Sequence, residues 1–180
     1  MMTVYHVVTD RPMYVGQQIV FDDANRSGVY SRVMAKKPEV EAIYAHPEQY
    51  VADQLEHHTR VALRELALEQ VRREKYPGLP SRMGCLYASL TLEEAEKWAG
   101  LFVQWGRPTY HIVRLSVDTW FTGDAWNCFA ATTSLQENLK LAERYWQNLP
   151  NLQGEPPMQE LLVAGCVTVE EIVKEINANI

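Results

Sequence analysis

The 180-residue chain carries 17 Lys and Arg against 23 Asp and Glu, a formal net charge of −6, and 47% of it is hydrophobic. This excludes a whole-chain basic footprint for nucleic acid and matches a globular domain large enough to close a core without metal or disulfide. The longest apolar run, Leu161 to Val167, is far shorter than the roughly 20 residues of a membrane span.

Met1 to Val8 has neither a cationic start nor a long apolar run, so no secretory signal is expected and the compartment reads as cytoplasmic. Thr3 to Thr9, rich in β-branched and aromatic residues, predicts a strand, with His6 on the face of Val4 and Val8. Loop follows, with a short strand at Gln18 to Phe21, a turn over Asp22-Asp23-Ala24-Asn25 and a further extended piece after Ser27-Gly28. Residues 36 to 47 predict a short helix and linker. Glu48 to Lys75 predicts one long helix, with a stripe at Val51, Leu55, His58, Ala62, Leu66 and Glu69, ended by Tyr76-Pro77-Gly78. Near its end Arg72, Arg73, Lys75 and Arg82 form a basic cluster interleaved with Glu69 and Glu74, read as a solvated face.

Met83 to Ser89 predicts a second core strand. Thr91-Leu92-Glu93-Glu94 is a capping box opening a helix to about Phe102, broken by Gly106-Arg107-Pro108. Tyr110 to Val117 predicts a strand, Trp120 to Asn127 a loop, Thr133 to Leu149 an amphipathic helix, and Glu160 to Val167 a core strand. Thr168 with Glu171 three residues on predicts a terminal helix over Val169 to Ile176. This order lacks strict βαβ alternation and implies an α+β domain with a mixed, mostly antiparallel sheet. A single domain spans 1–180, with a helical insertion at about 36–78.

The phosphate-binding loop, the dinucleotide fingerprint and the nucleophile elbow are all missing. Cys85, Cys128 and Cys166 show no C-x-x-C pair and sit among apolar neighbours, so buried reduced thiols are expected and no metal site. His57 and His58 are adjacent, without the three- or four-residue spacing of helical metal ligands.

Three places carry chemistry together: Tyr5-His6 in the first strand, Tyr87-Ala88-Ser89 at the end of the second core strand, and Glu160-Leu161-Leu162-Val163 opening the last. Singly, each has a packing or solvation role as its ordinary reading. In this order they resemble the ADP-ribosyltransferase superfamily, in its His-Tyr-Glu branch. Trp98, eleven residues after Tyr87, stands where that family carries a second aromatic. A closer likeness is to an uncharacterised prokaryotic and phage family of unknown function. It shares the Arg64-Glu65 helix, the Pro80-Ser81-Arg82 turn, the Tyr145-Trp146 helix end and the Glu160 strand. Departures are Val7 where Gly often follows the histidine, Met158 two residues before the glutamate where arginine-specific enzymes carry an acid, and no Ser-Thr-Ser strand.

The resemblance implies an ADP-ribosyltransferase-like split sheet and an enzyme that cleaves NAD at the nicotinamide–ribose bond, as a mono-ADP-ribosyltransferase or NAD glycohydrolase. NAD would be substrate, with no metal and no membrane partner. The acceptor would be a protein, a nucleic acid or a small molecule. Glu160 would steady the ribosyl cation, and Tyr87 and Trp98 would sandwich the nicotinamide. Backbone groups of Val7 would bind its carboxamide and His6 the adenine-side ribose, with Ser89 lining the site. Arg11 or Arg82 would face the diphosphate. A non-catalytic nucleotide- or protein-binding module on the same scaffold is the alternative.

Overall fold

Two long strands organise the molecule, and everything else is placed by which edge or face of them it covers. The computed structural model describes residues 1–22 and 24–180. In chain order come β1 (Met2–Val8), β2 (Gln18–Phe21), α1 (Gly28–Ala35), α2 (Lys37–Ala45), α3 (His57–Lys75), β3 (Leu86–Ala88), α4 (Leu92–Gln104), β4 (Thr109–Asp124), α5 (Leu135–Trp146) and β5 (Gln159–Ala178). Among the described residues the result is a mixed α/β fold with five α-helices and one five-stranded sheet, antiparallel at each described pairing.

β4 pairs with β5 along nearly its whole length and with β1 on its other edge. The far edge of β5 takes β3 and then β2. Just past β3, Ser89 exchanges both backbone hydrogen bonds with Tyr5 of β1, at 2.9 and 2.7 Å. The pairings β1–β4–β5–β3 therefore return to β1. One sheet face carries a core of valines and leucines from β1, β4 and β5, among them Val4, Val8, Leu115, Val117, Val163 and Val167. On the opposite face, Leu162 and Ala164 pack under α3 and α5, and Val7 and Ile112 pack under α4 through Ala95 and Ala99. Each large side chain fully buried this way contributes roughly 1.5–3 kcal/mol.

Several boundaries differ from the sequence expectations. The terminal helix is not formed, and 169–176 continue β5. Val169, Ile172, Val173 and Ile176 have helical spacing, which misleads. The strand accommodates it with bulges: Leu115 pairs with Val169 but Arg114 with Glu171, and Val113 pairs with Ile172 but Ile112 with Lys174. Each extra residue resets the facing, so Val169 and Ile172 join one core while Val173 and Ile176 join the other. The β-branched content and the long β4 ladder outweigh the capping-box pattern. Likewise 120–124 form strand rather than loop, extending β4 to Asp124.

The helical layer starts earlier than expected. The turn and short extended piece expected at Ser27 to Tyr30 are instead the start of α1, and α1 to α3 share a core of Val33, Val40, Ile43, Ala62, Leu63 and Met83. The long helix begins at His57, not Glu48, because the Glu56 carboxylate accepts from the Thr59 N–H and caps it there. Two short 3-10 turns precede it, and His58 is exposed rather than in the buried stripe. The expected cap at Thr91 forms, accepting from the Glu94 N–H at 3.2 Å. The Asp22 carboxylate holds the Asp22–Asn25 turn by accepting from Ala24 and Asn25 N–H; Asp23 itself lies outside the described residues.

Candidate functional site

The most heavily connected polar side chain is Arg82, only 7% exposed. Its Nε donates to Glu65 at 3.0 Å, its Nη1 to Glu160 at 2.5 Å and to the Tyr145 hydroxyl at 2.8 Å, and its Nη2 to the Cys128 thiol at 3.4 Å. Tyr145 in turn donates to the same Glu160 oxygen, Oε1, at 2.5 Å. Glu160 Oε2 accepts no hydrogen bond among the described residues. Burial alone would favour loss of the Arg82 proton, but Glu65, the two tyrosines and Glu160 hold its pKa well above the ordinary value. Burial pushes Tyr145 well up as well, so it stays a hydroxyl donor.

Neighbouring elements set this geometry. After α3 the chain doubles back, and Arg72 fixes the return by donating to the carbonyls of Leu79 and Pro77 while gripping both oxygens of Glu69. Ser81 also donates to Glu69, at 2.8 Å. Burial disfavours the charged form of Glu69, but these bonds outweigh it and hold its carboxyl below the ordinary range. Arg82, next in the chain, then points inward. The basic cluster is thus not one solvated face: Arg82 is buried and Arg72 engaged, while Arg73 and Lys75 remain half exposed.

On the sheet side, Gly123 lies opposite Glu160 in register. A Cβ there would meet the Tyr145 ring at 3.2 Å and Phe121 at 3.0 Å. The bare backbone lets Tyr145 lie across β4 and reach Glu160. Buried Asp124 accepts from the Met158 N–H, the Trp126 N–H and the Asn151 amide, which fixes the segment entering β5 just before Glu160.

His6 and Tyr87 meet this network at its other side. The His6 ring bonds the Tyr87 carbonyl at 2.6 Å, and since a carbonyl only accepts, Nδ1 carries the proton. Burial pushes the His6 pKa down, against the opposing effect of this bond, with Arg107 and His111 nearby lowering it further. At neutral pH the ring is then uncharged, with Nε2 an acceptor. The Tyr87 side chain is 41% exposed, and the Arg82 guanidinium lies 5.6 Å from its ring centre. Contacts thus run from His6 to Tyr87, Arg82 and Glu160, joining three strands distant in sequence.

Val7 follows from strand phase. Tyr5 turns its N–H and C=O outward to Ser89, so Val7, two residues on, does the same. Past Ser89 no strand pairs with that edge among the described residues, which leaves an adjacent donor and acceptor. The Val7 side chain packs in the core beneath α4.

Other expected residues lie elsewhere. Trp98 packs against Phe102 in the α4 core, with ring centres 5.9 Å apart, and makes no ring contact with Tyr87 among the described residues. The helix spacing was right, but α4 lays Trp98 over β1 and β4. Ser89 is buried and acts through its backbone bridge to Tyr5. Arg82 is only 7% exposed and engaged by internal partners. Of the thiols, all free, only Cys85 is fully buried, with burial pushing its pKa to about 12. Cys128 lies against Arg82 and Cys166 is exposed.

A cleft of about 240 Å³ opens above Arg82 and Tyr87, walled by α1 and α3. His57 and His58 both line it, their rings 5.3 Å apart. Glu65, Arg82 and Tyr145 are site residues that a search for catalytic motifs misses. The signal that points to them is the trio Arg64-Glu65, Pro80-Ser81-Arg82 and Tyr145-Trp146, which carries one of the sequence resemblances.

Among the described residues no helix is long and apolar enough to cross a membrane, and no group of three His, Cys, Asp or Glu is placed to hold a metal ion. Comparison with curated proteins returns no match. Over residues 4–175 the chain matches the family described as protein of unknown function DUF2441, and it belongs to that family.

Proposed function

We propose that this protein cleaves NAD at the nicotinamide–ribose bond, as a mono-ADP-ribosyltransferase or an NAD glycohydrolase of the same design, on an ADP-ribosyltransferase-like sheet. One observation supports the reading: His6 bonds the Tyr87 backbone carbonyl, Arg82 lies against the Tyr87 ring and pairs with Glu160, and each of the three keeps a group open that suits a different part of NAD. Glu160 keeps Oε2 unbonded while Arg82 and Tyr145 fix Oε1. An oriented carboxylate beside a developing oxocarbenium ion offsets its charge, as in glycoside hydrolysis. His6 Nε2 is an acceptor for a ribose hydroxyl. The unpaired N–H and C=O of Val7 complement a primary carboxamide, which offers one acceptor and a donor. The partly exposed Tyr87 ring supplies one face for nicotinamide, and offset aromatic contact adds about 0.5–1.5 kcal/mol beyond burial.

Two features reshape the expected site. The ring is held by Tyr87 without Trp98 opposite it, and the diphosphate is not met by Arg82. Met158 in place of a second acid disfavours an arginine acceptor, and the acceptor class is otherwise open among proteins, nucleic acids and small molecules. The setting is cytoplasmic, without membrane or metal.

The test is nicotinamide release from NAD by wild type and Glu160→Gln. The variant should lose at least about a hundredfold in rate, the scale of a positioned acid–base group, while still unfolding cooperatively in urea, at a lower midpoint because Arg82 loses one partner. Equal rates would end the assignment to Glu160. A specific observation favours the non-catalytic module as second reading: Glu160 already has a structural role as partner of buried Arg82. In that case NAD would raise the melting temperature of wild type with no nicotinamide released.

A further inference from the structure

The cleft between α1 and α3 has a charge that its surroundings do not explain. The whole chain carries six more acidic than basic residues. Yet the cleft is lined by Arg32, Arg64, Arg82, His57 and His58, with Glu65 the one acid among its lining residues. Their pairings leave a surplus. Arg82 is matched by Glu65 and Glu160. Arg64, a quarter exposed, bonds only Glu65 Oε1, an oxygen that Arg82 also contacts. Arg32 is exposed and makes no ion pair or hydrogen bond among the described residues. Counting Arg32, Arg64 and Arg82 against Glu65 and Glu160 leaves one positive charge.

Val29, Val33, Val61 and the partly exposed Tyr87 complete the lining. A group that satisfies both halves has an anionic head for Arg32, Arg64 and His57 and a flat apolar body for Tyr87 and the valines. Guanidinium groups favour phosphate oxygens through paired N–H donors. A cavity of about 240 Å³ is sized for one ring and one phosphate rather than a dinucleotide. We propose that this cleft is a binding site for an aromatic phosphate monoester. The inference does not rest on NAD cleavage, although both readings set an aromatic ring against Tyr87 and both involve Arg82.

The probe is phenyl phosphate, with phenol and inorganic phosphate as controls, titrated into the full chain and followed by the imidazole NMR signals of its five histidines. Phenyl phosphate should bind saturably, shifting His57 and His58 and leaving His46 unmoved. Phenol and inorganic phosphate should each bind at least tenfold more weakly. Arg32→Glu, a substitution at an exposed position, should weaken phenyl phosphate at least tenfold with its melting temperature unchanged, and added salt should weaken wild-type binding. Phenol matching phenyl phosphate, Arg32→Glu matching wild type, or unmoved His57 and His58 signals would each overturn the assignment. Nicotinamide release is measured separately, so an inactive protein that still binds phenyl phosphate through Arg32 refutes only the NAD reading.

Discussion

Replacing Arg82 with Met keeps most of the side-chain volume and removes the charge that holds Glu65 and Glu160. In the native protein the side chains of Arg82, Glu65 and Glu160 are 7%, 5% and 14% exposed. Solvent therefore cannot take over the role of the missing guanidinium. Glu65 would keep only Arg64, and Glu160 only the Tyr145 hydroxyl. Removing one member of a buried ion pair costs about 3–5 kcal/mol, mostly through the stranded partner. Two carboxylates are stranded here, each with one residual partner, so about 4 kcal/mol is expected from the same scale. Against a typical total of roughly 5–15 kcal/mol this is a large share, and for a domain of this size it lowers the melting temperature by roughly 8–16 °C. Urea unfolding at pH 7 measures it. The control is the triple variant Arg82→Met, Glu65→Gln, Glu160→Gln, which removes the stranded charges and should recover at least half the loss. A cost below about 1 kcal/mol for Arg82→Met, or no recovery in the triple variant, would refute the claim that Arg82 is the buried counter-ion of both glutamates.

Two further outcomes test the frame around the site. Gly165 has φ +69°, and a Cβ there would lie 2.1 Å from the Asp118 carboxylate that accepts from the Cys166 N–H; Gly165→Ala should therefore destabilise by at least about 2 kcal/mol in urea unfolding, whereas Gly28→Ala, where a Cβ meets nothing within 4 Å, should not. Glu56 is held at a pKa of about 2 by bonds from the His58 and Thr59 backbone N–H groups, with Lys36 adding to them. A carboxyl depressed in the folded state stabilises above its unfolded pKa of 4.5 and loses that contribution as pH falls toward 2. Wild-type stability should thus drop relative to Glu56→Gln across that window, and parallel pH profiles would remove Glu56 as the cap of α3.

Strands with strict alternation were legible in the sequence. The first strand, Gln18–Phe21 and the β5 segment around Leu161 to Val167 all form where β-branched and aromatic residues alternate or run together. Residues 169–176 were not, because bulges convert a helical spacing into a strand with two buried faces, and a bulge is a property of the pair, not of one strand. His6, Tyr87 and Glu160 were singled out by their order along the chain; the contacts that run between them through the Tyr87 carbonyl and Arg82 could not be read there. The burial of Arg82 was not legible, because a charged residue after Pro-Gly-Leu-Pro-Ser looks solvated until the Glu69–Arg72 lock turns it inward. Trp98 shows the limit of spacing arguments: eleven residues fix its position on the helix but not the face of the sheet against which the helix packs.

The two oxygens of Glu160 divide two roles that one substitution can confuse. Oε1 belongs to the fold, since it receives both Arg82 and Tyr145. Oε2, which no described residue bonds, is the oxygen that the proposed reaction would use. Glu160→Ala would remove both and leave Arg82 short of a counter-charge, so its inactivity would say nothing about catalysis. Glu160→Gln keeps a carbonyl oxygen that accepts the same two bonds in nearly the same volume, and it removes the charge that a ribosyl cation would feel. Arg82 retains Glu65, which it shares with Arg64, so the variant keeps a counter-ion at some cost in stability. A stable, well-folded but inactive Gln variant therefore isolates the charge of Glu160 as the missing element, a result that packing alone does not produce.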